Sequence, residues 1–389
     1  MTETHLQTGS SPAEAPFAAS SDSSAPASPS AVPAPPPTQR LKPLALRLGV
    51  SVAIGAFFVW VLHAGALPLV PERRVWAAFH GWTLAAYLVG WSLVHVLRAG
   101  RWQLLLAPLA QVPLRRIFAA SFLGYLAILM LPLRTGEVVR PLLIRDRGRL
   151  SVWAAAGTLG AERIVDGFVL SVMLFCALAL ATPIEPLPER LGDLPIRVSM
   201  VPTTAYLALL GFTGALLSML GFYVWKKPTR RLLERIVGTF SPRFSEWIST
   251  RLESLAEGLS FLAGRGHALP FVLLTVLYWL LNAACTWLLA WGVGLGGFNL
   301  IHACVVTGVL AVGVLMPNAP GFFGAFQFSV YAALAMFYPR EQVFAEGALF
   351  VFLLYLGQTL VTFGFAGWAA WFGGLGLRGA AREARGAAI

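Results

Sequence analysis

The chain has 389 residues, 57% of them hydrophobic and only 12% charged, whereas a soluble chain of that length carries about twice that charge across two or three domains. Its net charge of +11, from 29 Lys and Arg against 18 Asp and Glu, reads as the cytoplasmic excess of basic residues in a membrane protein. With no basic soluble module present, nucleic-acid binding is excluded.

In chain order, residues 1–39 are rich in Ser, Ala and Pro, as in "SSDSSAPASPSAVPAPPP". They cannot bury enough surface to fold and read as a disordered cytoplasmic tail. The first apolar stretch starts near Leu44, too late for a signal peptide, behind the basic flank Arg40, Lys42 and Arg47. Residues 40–377 then form one transmembrane domain, and 378–389 a basic C-terminal tail. The expected fold class is an all-α polytopic membrane protein. Six segments are long enough to span: about 46–69, 82–106, 152–182, 203–225, 269–295 and 343–373. Cys176, Cys285 and Cys304 lie inside apolar runs and read as small core residues.

Two apolar segments, 117–131 and 301–316, fall short of the ~20 residues a spanning helix needs. Each ends at proline, Pro132 and Pro317. Loop charge sets the orientation. The 226–266 linker carries Lys226, Lys227, Arg230, Arg231, Arg235, Arg243, Arg251 and Arg265 against four Glu and reads as cytoplasmic, as do Arg378, Arg382 and Arg385. The mixed 183–200 loop reads as external; Arg73 and Arg74, also outside on this topology, run against the rule. These signs are met if 117–149 is a re-entrant hairpin from the cytoplasm and 301–338 one from outside, with both termini cytoplasmic. The linker also repeats apolar residues at helical spacing (Phe244, Trp247, Ile248, Leu252, Leu255). It fits a basic amphipathic helix on an anionic lipid surface, or equally a cap on neighbouring helices.

Trp102 precedes Pro132 by 30 residues, and Trp287 precedes Pro317 by 30. Each sits in a long span that leads into a short, Pro-broken segment. The two spans run in opposite directions, the pattern of an inverted repeat with broken helices meeting near the midplane. One such spacing can also arise by chance.

An ionisable group at bilayer depth costs about 2.5–3.5 kcal/mol on insertion scales, so such groups persist when paired or used. Three clusters qualify. Arg98, Arg101 and Trp102 share one helix face, as a site or as interfacial anchors. In "LPLRTGEVVR", Pro132 stops a half-helix and Gly136 permits a tight turn. Arg134 and Arg140 suit phosphate there, beside Glu137 and a fresh helix start near Thr135. The plainer reading is a basic cytoplasmic turn. In "GAERIVDGF", Glu162, Arg163 and Asp166 fall on one face, as a site or as an Arg163–Asp166 pair at i, i+3. The second hairpin adds "PNAPGFFGAFQFS". Asn318 can cap a helix aimed at an anion, and Gly321 and Gly324 permit close approach, for a ligand or for helix packing.

Other patterns fail. "GVGLGG" and "GLGLRG" match a dinucleotide fingerprint but follow no strand. There is no Cys/His cluster, P-loop or H-E-x-x-H, so no metal, cofactor or catalytic residue is assigned.

"RAGRW", "LPLRTGEVVR", "ERIVDG" and "PNAPGFFGAFQ" occur in the order found in the flippase-like family related to the transmembrane region of lysylphosphatidylglycerol synthase, which the chain resembles over roughly 45–375. The family usually has P-G-G-x-G-x-x-E in the last element; here Phe322 replaces the second Gly and Gln327 the Glu. The resemblance implies lipid headgroup translocation in a bacterial cytoplasmic membrane. On this reading Arg98, Arg101, Arg134, Gly136, Arg140, Arg163, Asn318, Gly321 and Gly324 hold an anionic lipid headgroup. Glu137, Glu162, Asp166 and Gln327 balance charge or couple transport. The partners are a membrane lipid and, through the linker, an anionic lipid surface; the chain acts alone or as a homo-oligomer. Two rivals stand: an intramembrane lipid-modifying enzyme with Glu137 or Asp166 as base, and a non-transporting scaffold of a lipid-synthesis complex.

Overall fold

The computed structural model describes residues 49, 53–146, 150–225, 254, 256–263, 265–315 and 319–372. The expected tails 1–39 and 378–389 and most of the 226–266 linker lie outside these residues. The described part is helical. Its elements are α1 (Ala53–Ala64), α2 (Gly81–Gly100), α3 (Trp102–Leu106), α4 (Leu114–Met130), α5 (Val139–Ile144), α6 (Val152–Leu180), α7 (Met200–Val224), α8 (Arg265–Gly292), α9 (Leu300–Gly313), α10 (Ala325–Leu334), α11 (Arg340–Phe344) and α12 (Glu346–Phe372).

Four helical stretches among the described residues are long and apolar enough to cross a membrane: Val152–Leu180, Met200–Val224, Gly266–Gly292 and Arg340–Phe372. They coincide with four of the six expected spans. The expected 82–106 span is α2 followed by the short α3. The 20 residues of α2 reach about 30 Å, enough to cross, although Trp82, Trp91, His95 and Arg98 lower its hydropathy. α7 packs mainly on α6 and exposes Tyr206, Leu207, Leu210 and Leu217. In a bilayer these side chains meet lipid tails.

Local chemistry sets the boundaries. Ser151 Oγ accepts from the Ala154 N–H at 3.0 Å and caps α6. Asn299 Oδ1 caps α9 through the His302 N–H at 3.0 Å. α4 ends because a residue before proline is pushed out of the helical region: Leu131 is extended, φ −88° and ψ 137°. Pro132 then opens a 3-10 turn, Pro132–Val138.

That turn and α5 carry the chain back along α4. Arg116, near the start of α4, donates to the Arg145 carbonyl at 2.8 Å, so both ends of this segment lie together, as a hairpin requires. Gly136 is pressed against the backbone of Ala127 and Ile128, where a Cβ would overlap. The second hairpin closes likewise. At its base the His302 ring stacks on Phe337, centroids 4.2 Å apart, and Phe298 on Tyr338 at 6.4 Å. Near its tip Gly321, Phe322 and Gly324 have φ of 78°, 57° and 86°, and two glycines there relieve most of that strain. Residues 316–318, which include Asn318, lie outside the described residues.

The two halves pack in an exchanged pattern. α2 lies antiparallel to α8, since the His80 N–H at its start bonds the Gly292 carbonyl at 2.9 Å. α4 packs on α12 and α9 on α6. Arg115, at the start of α4, donates to the Phe372 carbonyl at the end of α12. The end of α6 meets the base of the second hairpin through Ile184 N–H to the Met336 carbonyl, 2.8 Å. Exchanging α2 with α8, α4 with α9 and α6 with α12 reproduces these pairings with direction reversed, as an inverted repeat demands. The hairpins therefore enter from opposite ends, and the second hairpin's tip packs on α4. The equal Trp–Pro spacing does not mark equal surroundings: Trp102 is buried, whereas Trp287 is 41% exposed.

Candidate functional site

Asp166 stands at the middle of the 29-residue α6, with Glu162 one turn earlier on the same face. Two carboxylates so placed repel unless cations lie between them. Arg101, at the junction of α2 and α3, supplies one. Its guanidinium reaches Asp166 Oδ2 at 2.7 Å and Glu162 Oε1 at 3.4 Å, and donates to Thr275 Oγ1 of α8. Arg140 of α5 supplies the other, 3.0 Å from Glu162 Oε1 and 3.4 Å from Ser121 Oγ. The Tyr278 hydroxyl donates to Asp166 Oδ1 at 2.8 Å. Two positive and two negative charges cancel within one sealed cluster.

Aromatic faces complete it. The Arg140 guanidinium lies 4.3 Å over Trp102, and that of Arg101 lies 4.6 Å over Tyr278; a ring quadrupole attracts a desolvated cation by about 2 kcal/mol. The Trp102 indole N–H is held by Thr158 at 2.9 Å. Gly124 makes room for the stem of Arg140. The cluster therefore ties α2, both limbs of the first hairpin, α6 and α8 into one unit.

Beside it lies a cavity of about 570 Å³, within the range of small-molecule sites. The two hairpins meet across it, with Ile128, Leu129 and Glu137 from the first and Gly321, Phe322 and Phe326 from the second. Glu137 and Arg163 stand at its mouth, 3.8 Å apart, with side chains 39% and 26% exposed. Inside, Arg98 stacks 4.7 Å over Tyr125. The buried Arg98 Nε has no hydrogen-bond partner.

The expected site residues thus separate into two groups. Arg98, Glu137, Arg163, Asp166 and Gly321 line the cavity. Arg101, Arg140 and Glu162 are sealed in the cluster and do not line it. Asp166 pairs with Arg101 and Arg163 with Glu137, rather than the two pairing with each other along α6. Gly136 serves hairpin packing. Gly324 is packed against Phe58, and its N–H is held by Gln327 Oε1 at 2.7 Å. That donor is thereby taken, so the helix start is closed to an anion at this position. Arg134 lies in the 3-10 turn, but its side chain is not among those described, and neither is Asn318.

Sequence reasoning passed over Ser121, Thr275 and Tyr278. The first two resemble ordinary small polar residues in apolar helices. Tyr278 carried a usable signal: a hydroxyl deep in a spanning segment needs a partner.

The chain matches the family model described as the lysylphosphatidylglycerol synthase TM region over residues 46–377. The chain belongs to that family. This member of the lysylphosphatidylglycerol synthase TM-region family is an integral membrane protein, as its long apolar helices require. It is 27% identical over 245 residues to a glycosyltransferase, AglD, of Haloferax volcanii, a match covering 58% of this chain and 39% of that protein. The match thus spans about two fifths of that relative's length. No solved structure matches this family member.

Proposed function

We propose that the protein moves a lipid with an anionic headgroup between leaflets, the headgroup passing through the cavity while the tails stay in the hydrocarbon. One observation carries this reading. Arg98 faces a cavity between two hairpins that enter from opposite ends, its Nε is unpartnered, and the nearby carboxylate of Asp166 is already bound by Arg101 and Tyr278. A phosphate cannot cross ~30 Å of hydrocarbon unaided. A guanidinium with its fork of donors suits it. Arg163 and Glu137 at the mouth supply charge along the approach, and exchange of their ion pair with the headgroup is the entry step. The Arg101–Asp166–Glu162–Arg140 cluster, which reaches the cavity at Asp166, holds the walls. Asp166 has both oxygens engaged by Arg101 and Tyr278, which supports a structural role for it.

The test uses vesicles containing the full chain and fluorescent phosphatidylglycerol, with a membrane-impermeant quencher reporting the outer leaflet. Wild type should exchange label faster than empty vesicles. Arg98→Gln should slow exchange about tenfold or more, a barrier raised by at least ~1.4 kcal/mol. Equal rates for wild type and Arg98→Gln would overturn the proposal.

A further inference from the structure

The polar groups inside the cavity are not those an anion alone would need. Trp91 Nε1, Trp279 Nε1, Tyr125 Oη and Thr307 Oγ1 are all buried without a hydrogen-bond partner, and all four residues line the cavity. Trp91, Tyr125 and Thr307 are 9%, 6% and 4% exposed. Buried indole N–H and hydroxyl groups ordinarily find partners. Four orphans around one cavity mark where a ligand's oxygens belong. Asn282, Gln358 and Thr359 also line it, adding amides that both donate and accept. The mixture of aromatic faces, amides and hydroxyls is the chemistry that holds a polyol: ring C–H faces lie on aromatic surfaces, and neighbouring hydroxyls bridge amides. The same walls disfavour a cationic amine. Among the described lining residues the carboxylate beyond the mouth is Asp166, taken on both oxygens, and Glu137 stands at the entrance.

We infer that the inner part of the cavity receives a polyhydroxylated headgroup, a sugar or polyol phosphate, with the phosphate at Arg98 and the hydroxyls among Trp91, Trp279, Asn282 and Thr307. This rests on the proposed transport of a lipid with an anionic headgroup, and names the class of that headgroup.

The full chain in phosphatidylcholine nanodiscs, free of sugar detergents, is titrated with phosphatidylinositol, phosphatidic acid, a monoglucosyl diacylglycerol and tail-free inositol 1-phosphate. Phosphatidylinositol should bind at least about tenfold more tightly than phosphatidic acid, the effect of one or two added hydrogen bonds. Trp91→Phe keeps the ring and removes the N–H, and Thr307→Val keeps the shape. Each should draw that ratio towards one, with unchanged helical circular dichroism showing an intact fold. Equal binding of the two phospholipids by wild type would overturn the polyol assignment and leave the anionic-lipid reading standing. Binding of the glucolipid with neither phospholipid would overturn the phosphate at Arg98, and with it the anionic-lipid reading, and leave only the hydroxyl contacts. Inositol phosphate binding as tightly as its lipid would sink the lipid reading alone, and no binding by any probe would sink both.

Discussion

Arg140 and Glu162 meet at 3.0 Å with neither side chain exposed, joining the returning limb of the first hairpin to the middle of a spanning helix. Removing one partner of a buried pair strands the other charge, at a cost of about 3–5 kcal/mol. Arg140→Met should therefore lower the unfolding temperature sharply and reduce folded yield in detergent. Adding Glu162→Gln to it should recover part of the loss. The four proteins of this double-mutant cycle, compared by thermal unfolding, measure the coupling.

Gly136 and Gly160 offer a contrast within one protein. A Cβ at Gly136 would run into the backbone of Ala127, whereas at Gly160 it meets nothing within 4 Å. Backbone yields less than a side chain, so Gly136→Ala should cost at least the ~1–3 kcal/mol typical of overpacking. Gly160→Ala should leave stability unchanged or raise it slightly, since alanine favours helix by about 1 kcal/mol. Melting curves in one detergent separate the two.

Tyr278 and Asp166 are 112 residues apart in sequence and share a hydrogen bond to a charged oxygen, a class worth about 1.5–3 kcal/mol. Tyr278→Phe should lose about that much stability. Asp166→Asn should lose more, because Arg101 is then left without its nearer carboxylate. The order of unfolding temperatures, wild type above Tyr278→Phe above Asp166→Asn, checks this.

Gln327 stands where the related pattern has glutamate. Its Oε1 accepts from the Gly324 N–H, a role that either residue can fill. Gln327→Glu should keep the second hairpin folded. Gln327→Leu should cost about 1–2 kcal/mol by orphaning that N–H. Protection of the Gly324 amide from hydrogen exchange reports the difference directly.

Much of the architecture was legible because it rests on local rules. Blocks of apolar residues predicted four spans, while the described helix within the expected 46–69 span, Ala53–Ala64, is shorter than a crossing needs. Pro132 predicted the end of α4, since the constraint on Leu131 acts between neighbours. The opposite charge of successive loops, with two segments too short to cross, predicted paired hairpins. The Arg, Glu and Asp residues of the cluster stood out because ionisable groups are rare in such surroundings.

What residue order could not supply was who meets whom. Arg98 and Arg101 lie one helical turn apart, yet Arg98 faces the cavity and Arg101 is sealed against Asp166, Thr275 and Phe271. Arg163 and Asp166 have the spacing of a pair but turn to different partners, Glu137 and Arg101. Periodicity along one helix tells which side chains share a face; only the packing of α5, α6 and α8 around that face determines which charges are neutralised and which remain open to a ligand. The sequence by itself determined a helical membrane protein with two short hairpins, the first broken at Pro132, because hydropathy, chain length and proline sterics are properties of short stretches. The tertiary structure alone decided the charge pairing and the cavity, because both depend on distances between segments far apart in the chain.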